Sequence, residues 1–201
     1  NLKRIWNMIR LETENKNTIE YYNNSLIVHF VELGMVDTKD RWRLDWLLKS
    51  FKGGKLLDLG CGISVLPILA AKIKDSEIYA VDFADHFIIL MDAVMKITGQ
   101  KNIHYLVGNV DKIPFEDNFF DYVVLGELLE HCESPQNVIT EVKRVLKDDG
   151  IIAISTPNEE TKETHKDLQH IWSISKEDID RLVKVEQIDI IGKQLLCIGK
   201  K

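Results

Sequence analysis

The chain has 201 residues, 45% apolar and 29% charged, a balance that suits one globular domain and excludes a disordered chain. Its formal net charge of −6 gives no general attraction to phosphate backbones, so nucleic-acid binding is disfavoured. No apolar run reaches the roughly 20 residues of a membrane span, and the scattered Cys61, Cys132 and Cys197, without CxxC spacing, exclude a disulfide framework or zinc knuckle.

The first ten residues carry Lys3, Arg4 and Arg10 but no apolar stretch behind them, so they do not read as a signal peptide. A reducing cytoplasm is the expected location. The first residue is Asn1 rather than Met, which fits N-terminal sequence that is either missing or cleaved. With no repeat and no linker, 1–201 reads as a single domain: an N-terminal helical extension over 1–51 and a core over 52–201.

Within the extension, residues 37–40 form a break. Trp42, Trp46 and Leu47 then fall at i, i+4 and i+5 of a helix that ends at Gly53-Gly54. Strands and helices alternate from there. Residues 55–59 form a short apolar strand. A helix over 65–73 follows, with Ser64 as its N-cap and Pro67 in the first turn. Residues 77–81 are a strand, 85–98 an apolar helix ending at Gly99, and 103–107 and 120–125 two more strands. Ser134-Pro135 opens a helix whose Val138, Val142, Val145 and Leu146 share one face. Asp148-Asp149-Gly150 turns into a strand over 151–155, and 157–170 is a polar loop. Ser175 caps a helix that runs through Val183, and strands over 185–191 and 194–198 close the chain. Strands separated by helices imply right-handed βαβ units and a mostly parallel α/β sheet. Only Gly192-Lys193 separates the last two strands, which makes them an antiparallel hairpin and brings the sheet to seven strands.

In an open parallel sheet, ligands bind beyond the carboxyl ends of the strands. After the first strand stands Asp58-Leu59-Gly60-Cys61-Gly62-Ile63-Ser64. Gly60 and Gly62 allow a tight turn and a close backbone approach to a ligand. Val65 occupies the third glycine position of a dinucleotide fingerprint, and no GxxxxGK[ST] is present. Asp82 ends the second strand, where one carboxylate can accept from both hydroxyls of a ribose. An N-cap or solvated turn is the bland alternative for it. Gly108-Asn109-Val110-Asp111 and Leu125-Gly126-Glu127 follow the third and fourth strands.

These segments carry a family resemblance. LLDLGCG (56–62), IPFEDNFFDYVVLGELLEHCESP (113–135) and EVKRVLKDDGIIAISTPN (141–158) resemble the class I S-adenosylmethionine-dependent methyltransferases. These are Rossmann-like proteins, and the likeness is to the branch that includes ubiquinone- and menaquinone-biosynthesis enzymes and sugar and natural-product methyltransferases. The resemblance implies S-adenosylmethionine as cofactor. Gly60, Cys61 and Gly62 would line its methionine and ribose, with Asp58 near the sulfonium and amino groups. Asp82 would hold the ribose, Phe83 would pack on the adenine, and Asn109 and Val110 would meet the adenine edge. Leu125 and Gly126 would offer carbonyls to the ammonium. Ser64 and Asn109 depart from the family's usual Gly and Asp.

Methyl transfer from a sulfonium needs alignment and desolvation, and a hydroxyl acceptor must also lose a proton. Glu127, Glu130 and His131, at i, i+3 and i+4, would share one face of a helical turn, with His131 and Glu127 as the catalytic pair. A structural role near the next helix start is the alternative. The small-RNA 3′-terminal 2′-O-methyltransferases carry a similar Glu-x-x-Glu-His motif with a later His. On that alternative Glu127, Glu130, His131 and His165 or His170 would hold magnesium. His165, His170 and Trp172 in the polar loop, with Tyr21 and Tyr22 of the extension, would contact the substrate. His29, Phe30 and Trp42 would add to that wall or simply pack on the sheet. The expectation is a small-molecule methyltransferase acting on a hydroxyl. A metal-dependent RNA-end methyltransferase and a non-catalytic Rossmann-like partner subunit are the competing readings.

Overall fold

The computed structural model describes residues 9–10, 41–158 and 169–201. Its elements in chain order are β1 (Ile9–Arg10), α1 (Arg41–Leu48), β2 (Gly54–Leu59), α2 (Leu66–Ala70), β3 (Ser76–Asp82), α3 (Asp85–Thr98) and β4 (Ile103–Val107). There follow β5 (Phe120–Gly126), a 3₁₀ turn (Leu129–His131), α4 (Pro135–Val145), β6 (Leu146–Pro157), β7 (Trp172–Ser173), α5 (Lys176–Leu182), β8 (Lys184–Ile191) and β9 (Gln194–Lys200). Residues 1–8 and 11–40, most of the expected extension, lie outside the described residues.

Seven strands form one sheet in the order β4-β3-β2-β5-β6-β9-β8. The first five pair in parallel, and β9 runs antiparallel to both β6 and β8. The chain winds outward from β2 through β3 to β4, then returns to β2's other side as β5. The crevice between β2 and β5 is therefore the switch point, where α/β sheets bind ligands. Register sets the level of that edge. Leu59 opposes Val81, Asp58 opposes Val124, and Asp82 opposes Val107. By that register Gly60 and Gly126 come level with Asp82, and Gly108 stands one residue beyond it.

Both faces of the sheet are buried, as a parallel sheet requires. Leu57, Leu59, Val123, Leu125, Ile152 and Ile154 pack under Val138, Ile139, Val142 and Val145 of α4 and under Ile179 and Leu182 of α5. The alternate residues Leu56, Ile78, Tyr122, Val124 and Ala153 face Leu44, Leu47 and Leu48 of α1 and Leu66 and Ala70 of α2.

The helix caps agree with the sequence at α4, where Ser134 Oγ accepts from Asn137 N (3.4 Å), and at α5, where Ser175 and Asp178 form a capping box. They differ at α2. That helix spans only Leu66–Ala70, its N-cap position is Val65, and Ser64 Oγ instead accepts from Leu66 N at 3.1 Å. The expected turn at 148–150 lies inside β6. There Phe120 opposes Leu146 but Tyr122 opposes Ile151, so residues 147–150 bulge outward without ending the strand. The pairing of β1 with β7, Ile9 opposite Ser173 and Arg10 opposite Trp172, has no counterpart in the sequence pattern.

Candidate active site

A cavity of about 410 Å³ opens at the switch point. One wall is the glycine loop and the ends of β3 and β4: Gly60, Gly62, Ile63, Asp82, Phe83, Asn109 and Val110. The other is Glu127, Leu128, His131, Cys132 and Gln169.

The first wall is shaped by backbone. Gly60 (φ +71°) and Gly62 (φ +49°) both adopt the left-handed region, and a Cβ on Gly60 would lie 2.6 Å from Leu128 Cδ1. A Cβ at Gly62 would meet nothing within 4 Å, so the space beside that residue is open. Asp82 clamps the loop. Its Oδ2 accepts from Gly62 N (2.8 Å) and its Oδ1 from Ala84 N (2.9 Å), and Phe83 N–H also bonds the carboxylate, which leaves it capacity for one further donor such as a hydroxyl. Burial raises the Asp82 carboxyl above its ordinary range, while the backbone N–H groups of Ala84, Gly62 and Phe83 pull it back. Asn109, which lines the cavity, accepts through Oδ1 from Asp111 N at 2.8 Å in an Asx turn.

Asp58 and Cys61 stand behind this wall, both buried and outside the cavity lining. Burial pushes the Asp58 carboxyl up to about 7; the charge of Asp82 adds to the rise and Arg43 opposes it. Asp58 Oδ2 has no hydrogen-bond partner. Leu125 is fully buried in β5, and Gly126 lies beneath α1, where a Cβ would come within 3.6 Å of Leu47 and 3.9 Å of Arg43.

The second wall is made of side chains. Glu127 does not share a helical face with Glu130 and His131. Its φ is +54°, and the 3₁₀ turn begins only at Leu129. The kink turns its carboxylate toward α1 and β9, where Ser155 Oγ (3.0 Å) and Gln194 Nε2 (3.1 Å) donate to it and Arg43 Nη1 lies 3.5 Å away. Arg43 Nη1 also donates to Ser155 Oγ at 3.0 Å. Glu130 points inward and is fully buried. Thr156 Oγ1 donates to its Oε2 (3.1 Å), while Oε1 has no hydrogen-bond partner. Burial raises its carboxyl well above the ordinary value, and the Glu127 charge adds to that.

His131 lines the cavity, and His170 is buried beside it with ring centroids 4.9 Å apart. The segment from 169 is stitched to the 3₁₀ turn by Ile171 N to Glu130 O (2.8 Å) and Trp172 Nε1 to Cys132 O (2.8 Å). Trp172 is thereby committed to holding the wall. Tyr21, Tyr22, His29, Phe30 and His165 lie outside the described residues.

Several residues at this site were missed in the sequence. Ser155 and Thr156 end the fifth core strand, so the carboxyl-end rule used for the first four strands also reaches them. Gln169 enters through a contact 38 residues distant from His131. Arg43 and Gln194 carry no local signal.

The fold defines a Rossmann-like protein with a glycine-and-carboxylate cavity wall at its switch point. The comparisons narrow the class. A family model described as a methyltransferase domain matches residues 50–194, and the chain belongs to that family, the class I S-adenosylmethionine-dependent methyltransferases. It is similar to the demethylmenaquinone methyltransferase of Geobacillus stearothermophilus, 32% identical over 115 residues, covering 55% of this chain and 49% of that protein. The Bacillus subtilis enzyme of the same name is 33% identical over 112 residues, covering 54% and 48%. The chain spans about half the length of the curated relatives it matches. Its fold is that of a SAM-dependent methyltransferase from Aquifex aeolicus, with a TM-score of 0.70 at 21% identity over 84% of this chain and 96% of that one. S-adenosylmethionine is the cofactor of this class. The open left-handed cradle at Gly62 and the remaining acceptor capacity of Asp82 fit its ribose.

Proposed function

We propose that this chain transfers the methyl group of S-adenosylmethionine to a hydroxyl of a small quinol-type acceptor. The observation that carries the reading is the shared cavity, lined by Gly60, Gly62 and Asp82 on one wall and by Glu127 and His131 on the other. Its volume of about 410 Å³ falls in the range of small-molecule sites. The likeness to enzymes named for demethylmenaquinone supports the acceptor class.

In this reading Asp82 takes the ribose hydroxyls, and Phe83, Asn109 and Val110 border the adenine. Gly60 and Gly62 let the methionine arm pass, and Cys61 backs the loop from behind. Asp58, with the carbonyls of Leu125 and Gly126, provides negative potential for the sulfonium and ammonium. Glu127, pinned by Ser155 and Gln194, fixes the wall opposite. His131 draws the acceptor's proton. An oxygen–carbon bond forms as the sulfur–carbon bond breaks, and the sulfonium leaves as a neutral thioether. Alignment and exclusion of water supply most of the acceleration. An RNA end fits less well, since 32 acidic residues face 26 basic ones.

The test is transfer of labelled methyl from S-adenosylmethionine to a panel of hydroquinones, catechols and their mono-O-methylated counterparts. Label in an ether is the expected product. Label on ring carbon would refute the hydroxyl acceptor, and no transfer to any panel member would refute the quinol class.

A further inference from the structure

Glu130, His131 and His170 are brought together by two separate devices: the 3₁₀ turn after β5 and the stitched segment before β7. One ligating atom from each lies within 4.8 Å of the others. That spacing suits three groups converging on one ion.

Two of the three groups are also oriented for ligation. His131 Nδ1 lies 3.2 Å from the carbonyl oxygen of Gln169, which makes Nδ1–H the donor of that bond. A metal-bound imidazole is ordinarily fixed in this way, by an N–H donated to a carbonyl. Thr156 Oγ1 holds Oε2 of Glu130, so the carboxylate cannot rotate freely. The remaining Oε1 is fully buried and has no hydrogen-bond partner. A buried carboxylate oxygen with no donor is costly, and a cation shared with the two nearby imidazoles would satisfy it. Glu127 is not part of the set, because its carboxylate is engaged by Ser155 and Gln194.

We propose that Glu130, His131 and His170 form a binding site for a first-row divalent transition-metal ion at the acceptor end of the cavity. Two imidazole nitrogens with one carboxylate favour zinc, manganese, iron or cobalt over magnesium or calcium, which prefer all-oxygen shells. Three protein ligands leave coordination positions open. His131 is the member that lines the cavity, so those positions adjoin the acceptor space. The inference rests on the reading above for the acceptor and revises one role in it, that of His131 as a free base. A hydroxyl coordinated there releases its proton to solvent more readily, and His131 then acts through the ion rather than as a free base.

The experiment titrates metal-stripped full-length chain with ZnCl₂, MnCl₂ and CoCl₂ by calorimetry, in the presence and absence of S-adenosylhomocysteine. The Co²⁺ complex is also read by its visible absorption bands. The expected result is one equivalent bound per chain, with Co²⁺ bands of a nitrogen–oxygen site. E130Q and H170A should each weaken binding by about a hundredfold, while H86A, at a surface histidine, leaves it unchanged. S-adenosylhomocysteine affinity in E130Q and H170A should stay within about threefold of the parent chain. No stoichiometric binding of any of the three ions, or H170A binding as tightly as the parent chain, overturns the proposal. The Co²⁺ spectrum of the parent chain decides the matter even if a variant misfolds. Absent S-adenosylhomocysteine binding would instead overturn the methyltransferase reading, separately from the metal result.

Discussion

The two walls of the cavity are built on different principles. The glycine-loop wall, the donor wall of the proposed reaction, uses backbone: two glycines in left-handed conformations, a carboxylate clamping main-chain N–H groups, and strand ends set level by register. The opposite wall, the acceptor wall of the proposed reaction, uses side chains recruited from distant positions, Arg43, Glu127, Glu130, Ser155, His170 and Gln194. A backbone cradle binds whatever fits it and tolerates change only where a Cβ has room. A side-chain wall can be altered residue by residue, so acceptor chemistry can diverge while the donor seat stays fixed.

The sharpest way to break this contrast is at Gly60. A Gly60→Val chain must place Cβ where Leu128 now sits and hold a β-branched residue at positive φ. S-adenosylhomocysteine affinity should fall by more than about a hundredfold, with about 1–3 kcal/mol of stability lost. Calorimetric titration and thermal unfolding read the two effects; near-normal affinity would show that the loop does not seat the cofactor.

On the acceptor wall, His131→Ala should lower kcat by about 10²–10³ while cofactor affinity moves less than about threefold. An equal loss in binding and turnover would place His131 on the donor side. Asp82→Asn should weaken cofactor binding by about 10–100-fold. It should also lower stability by about 1–2 kcal/mol, since an amide cannot accept from both Gly62 N and Ala84 N. Unchanged affinity with lowered stability would confine Asp82 to the turn role.

The smallest expected effect is a pH dependence. The Asp58 carboxyl, pushed up to about 7 by burial, sits above its unfolded value of about 4. Its contribution to stability is therefore fully present below about pH 4 and is lost as pH rises through about 7. Ionised Asp58 favours a cationic ligand. S-adenosylmethionine affinity should accordingly improve by up to about tenfold between pH 5.5 and 7, and Asp58→Asn should flatten that slope. A slope retained in the Asp58→Asn chain would assign it to another group.

How much of this was legible in the sequence follows the same division. The donor wall is written in consecutive residues at strand ends, so Gly60, Gly62, Asp82 and Asn109 can be read by position once the βα alternation is found. The strands were readable because both sheet faces are buried. The bulge at 147–150 was not, since Asp148-Asp149-Gly150 has turn composition whether or not the strand continues through it. Ser64 misled for a related reason: its hydroxyl does accept a backbone N–H, but two residues on, in a turn ahead of the helix. On the acceptor wall, Glu-x-x-Glu-His spacing promised one helical face. The positive φ of Glu127 splits that face, and φ is not visible in spacing. The meeting of His131 with His170 depends on a tether across 38 residues, which no local pattern encodes.

The central claim is that the Gly60–Gly62–Asp82 wall seats the adenosyl group of the methyl donor. Calorimetric titration of the full chain with S-adenosylhomocysteine tests it most directly. The account predicts one site per chain with micromolar affinity, on the order of −8 kcal/mol, lost in Gly60→Val and weakened in Asp82→Asn. No heat of binding at millimolar ligand, or equal affinity in all three chains, would contradict it.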